Sequence, residues 1–91
     1  MYLHIGQDTV VREQDIVGIF DMDNTTVSRI TRDFLNRAER EGKVVYVNLE
    51  LPKSFVVCST PDGEGHTVHI AQMAPRTLYK RAQMIQQNTD R

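Results

Sequence analysis

The run Ile16-Val17-Gly18-Ile19-Phe20 constrains the fold more than any other stretch of this chain. Side chains of a strand alternate between two faces, so a strand with one wet face needs a polar residue at every second position. A near-continuous apolar run of strand length therefore predicts a strand covered on both faces, at the centre of a sheet. Gly18 interrupts the run and predicts a bulge or close packing against a helix.

Around this strand the chain divides into short elements. Tyr2 to Ile5 and Thr9 to Val11 read as strands on either side of the turn Gly6-Gln7-Asp8, and Arg12 to Asp15 as a polar turn. Ser28 suits a helix N-cap, because its side-chain oxygen can take an unsatisfied N–H of the first turn. The helix runs to about Glu41. Ile30, Phe34, Leu35 and Ala38 form its buried stripe, Arg29, Arg32, Asp33, Asn36, Arg37 and Arg40 its wet side, and Gly42 its left-handed end. Val44 to Leu49 and Ser54 to Ser59 are strands joined by Leu51-Pro52-Lys53. A loop from Thr60 to Gly65 leads to a strand at Thr67 to Ala71. The strands together predict an antiparallel meander. Pro75 opens a last helix at the position where its missing N–H costs nothing, with Leu78, Ala82 and Ile85 buried, Arg76, Lys80, Gln83 and Gln87 on another face, and fraying from Asn88. The fold class is α+β, an antiparallel or mixed sheet with two helices, in one domain over residues 1–91.

The strand ends in Asp21-x-Asp23-x-Thr25, which looks like the first motif of haloacid-dehalogenase-type phosphatases. A carboxylate nucleophile attacking a phosphoryl group also needs Mg²⁺, a lysine for the charged intermediate and further carboxylates for the metal. Only 64 residues follow Val27, and their acids are scattered. The pair is read instead as a polar turn, with Asp and Asn bonding the local backbone, and no hydrolytic activity is expected.

Ninety-one residues suffice for one modest core, burying about 60–65% of the unfolded chain's surface. The single cysteine, Cys58, cannot form an internal disulfide, and neither a membrane span nor a basic secretory start is present, so the expected compartment is the cytoplasm. The net charge of −1 is unevenly placed: residues 1–27 carry −4, 28–43 carry +2, 44–74 carry −2 and 75–91 carry +3. A pI near 6.3 argues against a monomer that coats nucleic acid, yet basic stripes can act when several copies align them.

The segments MYLHIGQDTVV, DIVGIFD, FLNRAEREGKVV, PKSFVV and TLYKRAQ resemble, in order and spacing, the RemA/RemB family of extracellular matrix regulatory proteins of Gram-positive bacteria. The similarity covers nearly the whole length. It implies a cytoplasmic regulator with a fold akin to LytTR DNA-binding domains, whose RemA branch binds DNA, activates biofilm-matrix genes and assembles into ring-like homo-oligomers. In that branch the DNA-contacting basic residues fall at Asp15 and at Glu50-Leu51, none of them basic here. Lys53 does match a basic position.

Other groups have simpler readings. His66 and His69 are three apart on a strand, so they point to opposite faces and are read as surface or loop histidines rather than a metal pair. Cys58 reads as a small buried hydrophobe, and Met73 and Met84 as core or interface filling. Arg76, Lys80 and Arg81 have no acidic neighbour within four residues and suit a phosphate or an acidic protein surface. The expected function is matrix-gene regulation by a homo-oligomer, with an oligomeric scaffold that reads no DNA as the alternative. Lys53, Arg76, Lys80 and Arg81 are the nucleic-acid candidates and Val10, Val11, Leu49 and Leu51 the interface candidates. The expected partners are further copies of the chain, DNA and other regulatory proteins, with no membrane, metal or cofactor.

Overall fold

The computed structural model describes residues 2–6, 9–25, 28–47 and 51–89, of which 24–25 and 83–89 are described as backbone only. Strand β1 (Tyr2–His4) pairs antiparallel with β2 (Val10–Arg12), Leu3 opposite Val11, as a two-stranded sheet of its own. A 3₁₀ turn over Glu13–Asp15 leads into β3 (Ile16–Asp21), followed by the one-turn helix α1 (Met22–Thr25) and by α2 (Arg29–Arg40). Then come β4 (Val44–Tyr46), β5 (Ser54–Ser59), β6 (His66–Ala71) and α3 (Pro75–Thr89). The second sheet has the order β3-β5-β6-β4.

The core follows from the alternation along β5. Val56 and Cys58 face the hairpin and α3, in one cluster with Leu3, Ile5, Val11, Ile19 and Leu78. Phe55 and Val57 face α2, in a second cluster with Ala38 and Val68. Every residue from Ser54 to Cys58 is buried, and each fully buried Leu, Ile or Val contributes about 1.5–3 kcal/mol.

The centre of the sheet is thus β5, and β3, expected there, is an edge strand with Val17 59% exposed. β3 has α3 on one face, where Tyr79 Oη donates to the Ile19 carbonyl at 3.0 Å, while Val17 and Phe20 on the other face are exposed, so the expected cover on both faces is corrected as well. The bulge expected at Gly18 is present as a register shift between Ile16 and Gly18. A Cβ on Gly18 would stand 2.7 Å from the Phe20 ring, which stacks on Phe55 with centroids 5.1 Å apart.

The expected meander is corrected too, because β4 lies parallel to β6. Its register begins at the end of α2, where Gly42, at φ 70°, donates to the Glu39 carbonyl and Lys43 to that of Ala38. The Lys43 carbonyl then accepts the Val68 N–H at 2.9 Å. On α2 itself only Leu35 and Ala38 of the expected stripe pack against the sheet, while Ile30 and Phe34 are exposed. Ser28 has the extended backbone of an N-cap, but its side chain makes no capping hydrogen bond. Helix α3 continues to Thr89 without ending at Asn88; Leu78 is fully buried, Ala82 half-buried, and the Met84, Ile85, Gln83 and Gln87 side chains lie outside the described residues.

Candidate nucleic-acid and assembly surfaces

Lys53 is held by its backbone at one end of the four-stranded sheet. Its N–H donates to the Ala71 carbonyl and its carbonyl accepts the Met22 N–H, both at 2.9 Å, leaving the side chain exposed. The chain returns to the same end after β6, where Ser54 Oγ donates to the Met73 carbonyl at 2.7 Å. Helix α3 starts two residues later, which brings Arg76, in its first turn, to the end of the sheet that carries Lys53. Lys80 follows Arg76 by four residues and shares its stripe, and both are exposed. Arg81 lies further round the helix and is committed elsewhere. Its Nη1 donates to the His4 carbonyl at 3.2 Å and ties α3 to the hairpin. Lys53, Arg76 and Lys80 therefore form the cationic group, with Arg81 as a structural tie beside it.

Asp15 is paired with Arg12 through two contacts of 2.8 and 3.2 Å. The Asp15 carboxylate raises the pKa of the Arg12 guanidinium, and the pair cancels its own charge. The interface candidates separate. Val10 is 43% and Leu51 82% exposed, Val11 turns into the first core cluster, and Leu49 lies outside the described residues, as does Glu50.

Asp21 Oδ1 accepts the Asp23 N–H at 2.8 Å, so the first aspartate of the motif bonds locally and starts α1. His66 is exposed on the α2 side of the sheet. His69 lies on the other face and is half-buried, contrary to the surface reading, with Nδ1 buried and without a hydrogen-bond partner among the described residues. Burial lowers its pKa. Cys58 is a buried thiol pushed up to about 11, chiefly by desolvation and further by the Asp15 charge. Among the described residues no three His, Cys, Asp or Glu side chains gather as a metal site, and no helix is long and apolar enough to cross a membrane.

Sequence reasoning missed one feature. Between α2 and β3 runs an open groove of about 330 Å³, walled by Val17, Phe20, Ile30, Phe34, Phe55 and Val57. Its signal was the apolar pair Ile30 and Phe34, one turn apart on α2.

No family model matches the chain. Over 85 residues it is 38% identical to extracellular matrix regulatory protein B of Bacillus subtilis (strain 168), a match covering 93% of this chain and 94% of the relative. The chain belongs to that family. A match covering 93% of the chain is a likeness of nearly the whole unit and not of one motif.

Proposed function

We propose that the chain is a small, non-enzymatic cytoplasmic regulator of extracellular-matrix gene expression that acts as a homo-oligomer and touches DNA through repeated basic residues. The identity of 38% over 93% of the chain to a protein named as a matrix regulator carries this reading. The proposal includes a LytTR-like protomer that closes into a ring, with other regulatory proteins as further partners. Lys53, Arg76 and Lys80 supply the phosphate contacts. Each neutralised phosphate contributes about −0.9 to the slope of log affinity against log salt, so three give about −2.7 per protomer. Such contacts position a protein on DNA without reading its sequence, and binding is expected to be weak and largely non-specific.

Gel-shift titration at about 50 and 200 mM salt tests this. Lys53→Glu combined with Lys80→Glu should weaken binding and flatten the salt slope; an unchanged affinity and slope would overturn the assignment. A second reading, an oligomeric scaffold that binds no DNA, is favoured by the neutral Arg12–Asp15 pair. An intact oligomer giving no shift at either salt would select it.

A further inference from the structure

We infer that the face of α3 built by Arg76, Tyr79 and Lys80 is a single-strand site, in which a nucleic-acid base stacks on the Tyr79 ring between two phosphate-binding cations. The site deepens the nucleic-acid contact proposed above, on which it rests, and names the class of strand taken. Positions three and four residues apart share a helix face, so Tyr79 and Lys80 both lie beside Arg76, one turn further along α3. All three are exposed, whereas Leu78 between them in sequence turns into the core. No acidic residue lies within four positions of any of the three. Lys53 is less free, because its end of the sheet also carries Asp21, opposite Ser54, and Asp23. The centre of the site is therefore α3.

Tyr79 selects the strand. Its Oη donates to the Ile19 carbonyl at 3.0 Å, yet the residue keeps 50% of its surface open. With the hydroxyl engaged on β3, what Tyr79 offers outward is its ring. A ring pinned at its tip has already lost its rotamer freedom on folding, so seating a base on it costs little further ordering. Duplex DNA keeps its bases stacked inside and presents phosphates and groove edges, so it meets Arg76 and Lys80 but makes no use of the ring. A single strand has free base faces, and stacking one on an aromatic side chain changes affinity roughly five- to hundredfold, with a cation beside the ring adding to the attraction. Every base has such a face, so the site grips a strand without reading its sequence.

Fluorescence anisotropy of the full chain with a labelled oligothymidylate, an oligouridylate and a duplex of the same length tests it. Both single strands should bind more tightly than the duplex, and the tighter of the two identifies the sugar. Tyr79→Ala should lower single-strand affinity roughly five- to hundredfold and leave duplex affinity unchanged, which also shows that the variant folds. Tyr79→Phe keeps the ring, loses the hydroxyl and should retain most of the affinity. The chain has no tryptophan and three tyrosines, so Tyr2→Phe with Tyr46→Phe, both at exposed positions, leaves Tyr79 as the sole tyrosine. Oligothymidylate should quench its emission, and polyglutamate, which carries charge without bases, should not. Tyr79→Ala losing nothing, or losing equally on strand and duplex, overturns the stacking site. So does a Tyr79→Phe loss as large as that of alanine, or quenching by polyglutamate. A duplex bound as tightly as the single strands, and still weakened by Lys53→Glu with Lys80→Glu, overturns the site while the DNA reading stands. No binding of any of the three probes removes the nucleic-acid reading itself.

Discussion

His69 shows how a residue can be placed correctly and its environment misread. The three-residue spacing from His66 put the two rings on opposite faces, and they are. What spacing could not supply was the hairpin folding over one of those faces, which half-buries His69 and leaves Nδ1 without a partner among the described residues. Its pKa in the folded chain is lowered by desolvation from the ordinary 6.5. Between the folded value and 6.5 the unfolded chain binds more protons, so this contribution to stability is complete above 6.5 and is lost as pH falls through the folded value. Glu41, lowered by hydrogen bonds from Lys43 and Arg37, and Asp62, lowered chiefly by a hydrogen bond from Thr60, act in the same direction only below 4.5 and 3.8. The interval from pH 6.5 down to 5 therefore isolates the histidine. Urea midpoints should fall across that interval, and His69→Leu should remove part of the fall. An identical slope in the variant would show that His69 is not the group responsible. Asp21 is the complementary case: its bond to the Asp23 N–H is local, and local chemistry is what a short motif reports reliably.

At the scale of elements, local rules succeeded where they had to satisfy only the backbone nearby. The glycine end of α2, the proline start of α3 and the bulge at Gly18 all stand where the residues put them. Neighbour relations were not legible, because an apolar residue records that it is covered and not by which element. β3 and β5 carry nearly the same signal, yet β5 has a strand on each side and β3 has one. The stripe on α2 misled for a related reason: Ile30 and Phe34 have the right period, but the sheet beneath is reached only by Leu35 and Ala38. Leu78 on α3 is different, since it is fully buried in one dense cluster drawn from β1, β2, β3 and β5. Leu78→Ala should cost about 2–5 kcal/mol through lost burial and the cavity left behind. A chain of this length has only about 5–14 kcal/mol of stability in all. The urea midpoint should drop steeply with an unchanged slope, and a loss under about 1 kcal/mol would mean that α3 is not part of the cooperative unit.

For the whole molecule the decisive fact is that its cations are few and divided. Lys53, Arg76 and Lys80 sit around one end of the sheet, Arg81 holds the hairpin, and the arginines of α2 flank the groove on another side. The uneven charge of the chain was legible as a count along the sequence. Its meaning was not, since only the fold separates the cations at the start of α3 from those beside the groove. On the proposed function, three phosphate contacts from one protomer would be too few to hold DNA firmly at physiological salt, whereas tethering copies in one assembly would make each later contact intramolecular and multiply the effective concentration. DNA affinity and assembly should therefore fall together. Dilution that dissociates the assembly removes no cation and should weaken DNA binding while reducing the apparent salt slope toward that of one protomer. Lys53→Glu with Lys80→Glu should do the reverse, lowering affinity while the mass by light scattering stays that of the wild-type assembly. If the dissociated protomer binds DNA undiminished, the protomer alone is the binding unit and repetition of its cations contributes nothing.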